Sequence, residues 1–229
     1  MDRFFGQRHH HSSDSYIRVN SHEIARNQAE LETGCSKFFK RYIEAILEDG
    51  GLSSRCMEKK SLSLQPLLEE AISDSNLLQE ANIESQIYAE DKLLIDPEQI
   101  KFVVTQVLEN AVQYSNGLCS ALLNLERAPN ALVLSVKDKG IGIDPFEKEK
   151  IFRPFFRGLD SAKFSEGIGL GLTLSREILT YHDAQICIES QGRGQGSSVY
   201  ISFPLEDKHI VYRDHESRSV HVPSAISCA

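Results

Sequence analysis

The sequence predicts an α/β domain, a two-layer sandwich of helices on a mixed sheet, preceded by a short helical dimerisation or docking region. Three observations predict it. Alternating apolar stretches near residues 82–87, 120–136, 185–190 and 197–203 read as strands. Apolar residues at spacings of three and four after Pro97 and after Gly171 read as helices. Glycines gather at 140–142 and 167–171, where a strand ends and a helix begins.

Composition bounds the function classes. The chain has 229 residues, 41% hydrophobic and 25% charged, which describes a globular protein with room for a sizeable core. Its 25 basic and 33 acidic residues leave a formal charge of -8. Nucleic acid is therefore a poor partner, since backbone binding is built on Lys and Arg. No apolar run is long enough to span a bilayer, so no membrane contact within the chain and a cytoplasmic setting are expected, as is the alternative of a piece cut from a longer receptor. The five cysteines are dispersed and read as reduced thiols.

In chain order, residues 1–14, with His9, His10 and His11, read as a flexible leader rather than a metal site. Residues 15–58 read as a helical region: Phe38, Tyr42, Ala45 and Ile46 recur at helical spacing, with Gly34 and Gly50-Gly51 as interruptions. A bent helix or helical hairpin fits, for homodimerisation or for packing on the larger domain. The compact domain is expected over 60–206. "LSLQPLLEEAISDSNLLQEA" from Leu62 predicts helix, "ANIESQIYA" a strand, and Asp96-Pro97 a capped helix start with Ile100, Val103, Val104, Val107, Ala111 and Tyr114 on its core face. Two strands joined around Pro129 follow, and after Leu205 a tail over 207–229 has no coherent apolar face.

Candidate site residues stand where these elements meet. Gln106, Asn110 and Gln113, at i, i+4 and i+7, share a helix face, and the Asn110 carbonyl suits a hydrated Mg2+ held chiefly by nucleotide phosphates. A plain structural role for Asn110 is the competing reading. Glu109 points about 100° away from that face and is not read as a base. In "VKDKGIGID", Asp138 can accept from an adenine exocyclic amine while Gly140 and Gly142 allow close backbone approach; an ordinary turn is the alternative. Arg157 and Lys163 can reach phosphate oxygens or merely solubilise a loop. Gly167, Gly169 and Gly171, leading into a helix with Leu172 and Leu174, can cradle phosphate on backbone amides. These glycines match neither the dinucleotide fingerprint nor the phosphate-loop ending, and Gly192, Gly194 and Gly196 read as a strand connection.

Four motifs in order, "VTQVLENAVQYSN", "VKDKGIGID", "IFRPFFRG" and "SEGIGLGLTLSREI", resemble the N, first glycine, phenylalanine and second glycine boxes of the histidine-kinase catalytic domain, within the GHKL ATPase group. The resemblance implies an ATP-binding sandwich using ATP and Mg2+. It implies Asn110 as the metal-binding asparagine, with Gln113 and Tyr114 beside it, and Asp138 as the adenine-recognition aspartate supported by Gly140 and Gly142. Gly167, Gly169 and Gly171 fall on the phosphate side, Phe152, Phe155 and Phe156 support a lid, and Arg157 contacts phosphate; from residue chemistry alone, Lys163 and Leu172 are added to the nucleotide-binding set.

The chain departs from that pattern in several places. Gln106 stands where the kinases usually carry asparagine and the hydrolysing relatives a glutamate base; Gln113 replaces a commonly basic residue; "YHDAQI" stands where a double glycine is expected. His22-Glu23 resembles the phosphoacceptor motif, with Glu23 orienting the imidazole, but Arg26 replaces the usual Thr or Asn and no proline follows. The implied function is an ATP-dependent histidine autokinase that passes phosphate to the aspartate of a response regulator. A catalytically weak ATP-binding module that docks a signalling partner, and a serine kinase of anti-sigma type, are the alternatives.

Overall fold

The computed structural model describes residues 57–205, apart from 116, 118, 119 and 159–168. The chain divides into Met1–Cys56 and Met57–Ala229, and every described residue lies in the second unit. The expected helical region before residue 57, the leader and the tail lie outside the described residues.

The main layer is a five-stranded mixed sheet in the order β2-β4-β5-β7-β6, formed by Asn82–Ile87, Ser120–Ala128, Ala131–Asp138, Ser198–Pro204 and Gln185–Glu189. β2 runs parallel to β4, and the other pairs are antiparallel. Registers place Leu125 opposite Leu134 and Leu134 opposite Ile201, one apolar row across three strands. Leu132, Leu134 and Val136 of β5 line up with Phe203, Ile201 and Val199 of β7, all buried. Pro129-Asn130 turns β4 into β5, as the sequence predicts, and Leu205 N–H ties to the Asn130 carbonyl at 2.9 Å.

Helices form the second layer. α1 (Leu64–Asp74) buries Leu64, Leu67, Leu68 and Ala71, and α2 (Asn76–Gln79) adds one turn after a break at Ser75. α3 (Pro97–Gln113) starts where expected: the Asp96 carboxylate accepts from Gln99 N–H at 3.2 Å, and Pro97 occupies a position whose N–H has no helical partner. Its stripe of Ile100, Val103, Val104, Val107 and Ala111 is buried. At about 1.5–3 kcal/mol for each large aliphatic side chain, that stripe fixes the rotation of the helix and so the direction of its polar face. α4 (Gly171–Tyr181) buries Leu174, Ile178 and Leu179. Among the described residues no helix is long and apolar enough to cross a membrane.

One stretch differs from expectation. The helix predicted from Leu62 begins only at Leu64; Leu62 lies in β1 (Lys60–Ser63), which pairs antiparallel with β3 (Lys92–Ile95), Leu62 facing Leu93. Pro66 is tolerated because it falls in the first turn of a helix starting at Leu64. Neither strand announces itself, since four residues give too short an alternation and such a pair holds only when packed on a larger body. Leu93 and Ile95 provide that packing by burying one face of β3.

Candidate functional site

Asp138 closes β5 in register with Leu132, Leu134 and Val136, the row that faces the helices. A carboxylate is thus carried to the end of an apolar row and left only 6% exposed. Such a group is costly unless paired, and here it is well supplied. Oδ1 accepts from Gly140 N–H at 2.8 Å and Ser197 N–H at 3.1 Å, and Oδ2 accepts from the Ser197 hydroxyl at 2.5 Å. An ionised carboxylate offers about four acceptor positions; among the described residues three donors reach it, which leaves one position on the Oδ2 side for a ligand donor.

The loop after Asp138 is pinned on both flanks. Ile141 N–H donates to the Tyr114 carbonyl at the end of α3, 3.0 Å, and a Cβ on Gly140 would sit 1.8 Å from that oxygen. Gly142 has φ 66, and a Cβ there would lie 2.0 Å from the Gly192 carbonyl. Gly194 N–H donates to Ile141 O and Gly196 N–H to Gly140 O, at 2.7 and 3.1 Å. The glycines at 192–196 are a strand connection, as expected, and also the outer wall of the Asp138 loop. Ser190 joins them, its hydroxyl accepting from Ile143 N–H at 3.0 Å and donating to Gly196 O at 2.7 Å.

The polar face of α3 turns toward α4. A Cβ on Gly171 would stand 2.2 Å from Gln106 Oε1, so the face shared by Gln106, Asn110 and Gln113 looks at the start of the second glycine helix. Asn110 and Gln113 are half-buried there, and Tyr114 caps the helix with its N–H on Asn110 O at 3.0 Å. Glu109 points elsewhere: it accepts from the Ser75 hydroxyl at 2.7 Å and from Gln106 Nε2 at 3.4 Å, joining the α1–α2 break to α3. Among the described residues no side chain caps the start of α4 after Leu170, and Leu172 is half-buried in that first turn.

On the remaining side Phe152 is buried, while Phe155, Phe156 and Arg157 are half-buried. Phe155 adopts φ 60, unusual for a bulky residue, and donates its N–H to Gly169 O at 3.0 Å. Asn110, Gln113, Tyr114, Asp138, Gly140, Gly142, Gly169, Gly171 and Leu172 are therefore brought around one end of the α3–α4 pair, with Arg157 two residues beyond Phe155. His22, Glu23, Lys163 and Gly167 lie outside the described residues. Ser197 and Ser190 are site residues that sequence reading missed. Their only signal was position, two serines flanking a glycine cluster.

The opposite end of α3 and α4 is also joined. His182, at the end of α4, accepts from Asp96 N–H on Nε2 at 3.0 Å, and its Nδ1 bonds the Ile178 carbonyl at 2.8 Å. Burial lowers its pKa against the upward pull of the Ile178 bond; Lys59 lowers it further and Asp96 and Asp183 raise it. Lys59 Nζ caps the Tyr181 carbonyl at 2.8 Å. Asp183 takes the left-handed conformation, φ 56, where the resembled pattern carries glycine.

Comparison with known proteins agrees with this geometry. Residues 95–207 match the family described as histidine kinase-, DNA gyrase B- and HSP90-like ATPases. The sensor protein kinase WalK of Staphylococcus aureus is 36% identical over 115 residues, 48% of this chain and 27% of that protein; in its strain JH9 form the share is 19%. The match thus spans well under a third of these relatives. Among solved structures, the catalytic domain of the histidine kinase ThkA superposes with TM-score 0.55 at 25% identity, covering 65% of this chain and 96% of that one. A mycobacterial sensor histidine kinase, MprB, gives TM-score 0.57 at 20% identity, covering 64% and 97%, a likeness of fold alone. The domain is a GHKL-fold ATPase/kinase domain resembling the catalytic domains of sensor histidine kinases.

Proposed function

We propose that this chain carries the ATP-binding and phosphoryl-transfer part of a sensor histidine kinase. The observation that carries the reading is the buried Asp138 carboxylate, held by three donors with an acceptor position to spare, beside a loop whose glycines exclude any side chain. Adenine offers a planar amine to such an acceptor. Asn110, Gln113 and Tyr114 form the flank between base and phosphates, with the Asn110 carbonyl as the protein's ligand for a Mg2+ that otherwise rests on phosphate oxygens. The uncapped start of α4, with Gly167, Gly169, Gly171 and Leu172, receives the phosphates, and Arg157 and Lys163 balance their charge. ATP supplies the phosphoryl group. Glu23 orients the His22 imidazole, whose free nitrogen attacks the γ-phosphorus as ADP leaves, and His22 then hands the group to an aspartate of a response regulator.

In this reading residues 15–58 are the helical dimerisation and phosphotransfer region, 60–206 the ATP-binding domain and 207–229 a tail. A second reading, an ATP-binding module that docks a partner without transfer, is favoured by Gln106 and Gln113 at their positions and by Arg26 after His22. Incubation with γ-labelled ATP and Mg2+, then mapping of acid-labile, base-stable label by mass spectrometry, separates the two. Label on His22 that disappears in His22→Gln is expected; nucleotide binding without any label overturns the kinase reading in favour of the module.

A further inference from the structure

The second glycine helix holds more than its own loop. On α4, the Thr173 hydroxyl and Arg176 Nη2 both donate to one acceptor, the carbonyl oxygen of Phe152, at 3.1 and 3.2 Å. The Arg176 guanidinium also lies over the Phe152 ring, 5.3 Å from its centroid. An arginine so placed is engaged twice by one residue, through one N–H and its planar cation. Three residues further on, the chain passes through the left-handed Phe155, whose N–H reaches back to Gly169 O at 3.0 Å. Gly169 is itself at φ 78, and a Cβ there would lie 2.7 Å from Phe156 O. Residues 152–155 and 169–176 are therefore clasped at two points, the strained backbone pair at Phe155–Gly169 and the Arg176–Phe152 pair beneath it.

A bulky residue at positive φ costs free energy and persists only where its surroundings over-determine it. Here the over-determination comes from Phe152, held on α4 from three directions. We infer that Arg176 is a positioning residue for the phosphate end of the nucleotide site: by fixing Phe152 it holds Phe155 against Gly169 and so sets where Arg157 begins. It touches no reacting group. The inference rests on the nucleotide reading for its consequence and on the clasp alone for its mechanism, and the two are separable.

The test uses the full chain and the variants Arg176→Gln, Arg176→Lys and Thr173→Val. Without nucleotide, amide hydrogen exchange at residues 152–155 should quicken by about tenfold in Arg176→Gln, the equivalent of one charge-assisted hydrogen bond. In the same variant, affinity for Mg-ATP should fall by about tenfold while affinity for adenosine stays within about twofold, because the Asp138 side is untouched. Arg176→Lys, which keeps the cation over the ring and loses the fork, should fall between wild type and Arg176→Gln, and Thr173→Val should move both readouts less. Unchanged exchange at 152–155, or equal weakening of ATP and adenosine, overturns the inference. A wild-type chain that binds neither nucleotide, with exchange still quickened in Arg176→Gln, overturns the nucleotide reading and the role given to Arg176 in it, while the clasp stands.

Discussion

Helices α3 and α4 run antiparallel and meet at both ends, and the two ends are built from different materials. Where α3 ends and α4 begins, backbone meets backbone at several points beside side-chain contacts such as Arg176 on Phe152: Tyr114 O to Ile141 N–H, Phe155 N–H to Gly169 O, and glycines so close to their neighbours that a methyl group has no room. Where α3 begins and α4 ends, the contacts come from side chains: Asp96 caps α3, His182 bridges to Asp96 N–H, and Lys59 caps Tyr181 O. The difference teaches how one helix pair serves two purposes. The side-chain end is bonded across from one helix to the other by Asp96 and His182, so it fixes the angle between the helices. At the glycine end, the lack of side chains leaves backbone amides and carbonyls as the groups a ligand would meet.

If that contrast is right, the heaviest damage follows from adding one carbon at the open end. In Gly140→Ala the new Cβ would meet the Tyr114 carbonyl at 1.8 Å and Asp138 Oδ1 at 2.9 Å. Neither can yield without moving the end of α3 or breaking the Asp138 cage. A loss of about 3 kcal/mol in urea unfolding is expected, at the upper end of overpacking costs, together with loss of adenosine binding. Asp138→Asn tests the same end more gently. The amide oxygen can still accept from Gly140 and Ser197 N–H, so stability should change little. The amide nitrogen now meets the ligand amine donor to donor, however, and adenosine affinity should fall by about 10- to 100-fold, the range for a hydrogen bond to a charged group, as read by calorimetry.

How each end could be read in the sequence follows from the same contrast. The open end was largely legible because its constraints are local: Asp138, Gly140 and Gly142 stand within five residues, and the polar face of α3 follows from a helical period. Its missing piece, Ser197, lies 59 residues from the Asp138 it holds. Nothing near Ser197 names its partner. Of the closed end, only the Asp96 cap of α3 was legible. His182 and Asp96 are 86 residues apart, and in the sequence the histidine stands out only as part of "YHDAQI", a departure from the double glycine. β1 and β3 were hidden for the same reason, since a short strand is defined by a neighbour it finds only in three dimensions.

The closed end should answer to acid. His182 is held neutral by burial, and both ring nitrogens already have partners that suit the neutral ring; a second ring proton would oppose the Asp96 N–H. Its folded pKa lies below the ordinary value of 6.5, so its contribution to stability is complete above pH 6.5 and declines as pH falls from there through the folded pKa. Urea midpoints measured from pH 8 to pH 5 should show this decline. In His182→Leu it should vanish, leaving a loss of about 2 kcal/mol at pH 8 from the unpaired Asp96 N–H. Adenosine affinity at pH 8 should stay within about twofold of wild type, because the change lies at the far end of both helices.

The smallest effect is the most specific to this chain. Asp183 stands at φ 56, a conformation glycine enters freely and aspartate only at a cost, partly offset because glycine also loosens the unfolded chain. Asp183→Gly should therefore stabilise by about 0.5 kcal/mol at pH 8. The same change removes a carboxylate that raises the His182 pKa, the last of the influences on it after burial, Ile178, Lys59 and Asp96. Without it the folded pKa falls further below 6.5, and the acid-driven decline runs over a wider span. The variant should begin ahead of wild type at pH 8 and lose its lead as pH falls toward 5. A lead that stayed constant across that range would mean that Asp183 and His182 share a turn without sharing a field, and that only backbone strain distinguishes this turn from one built on glycine.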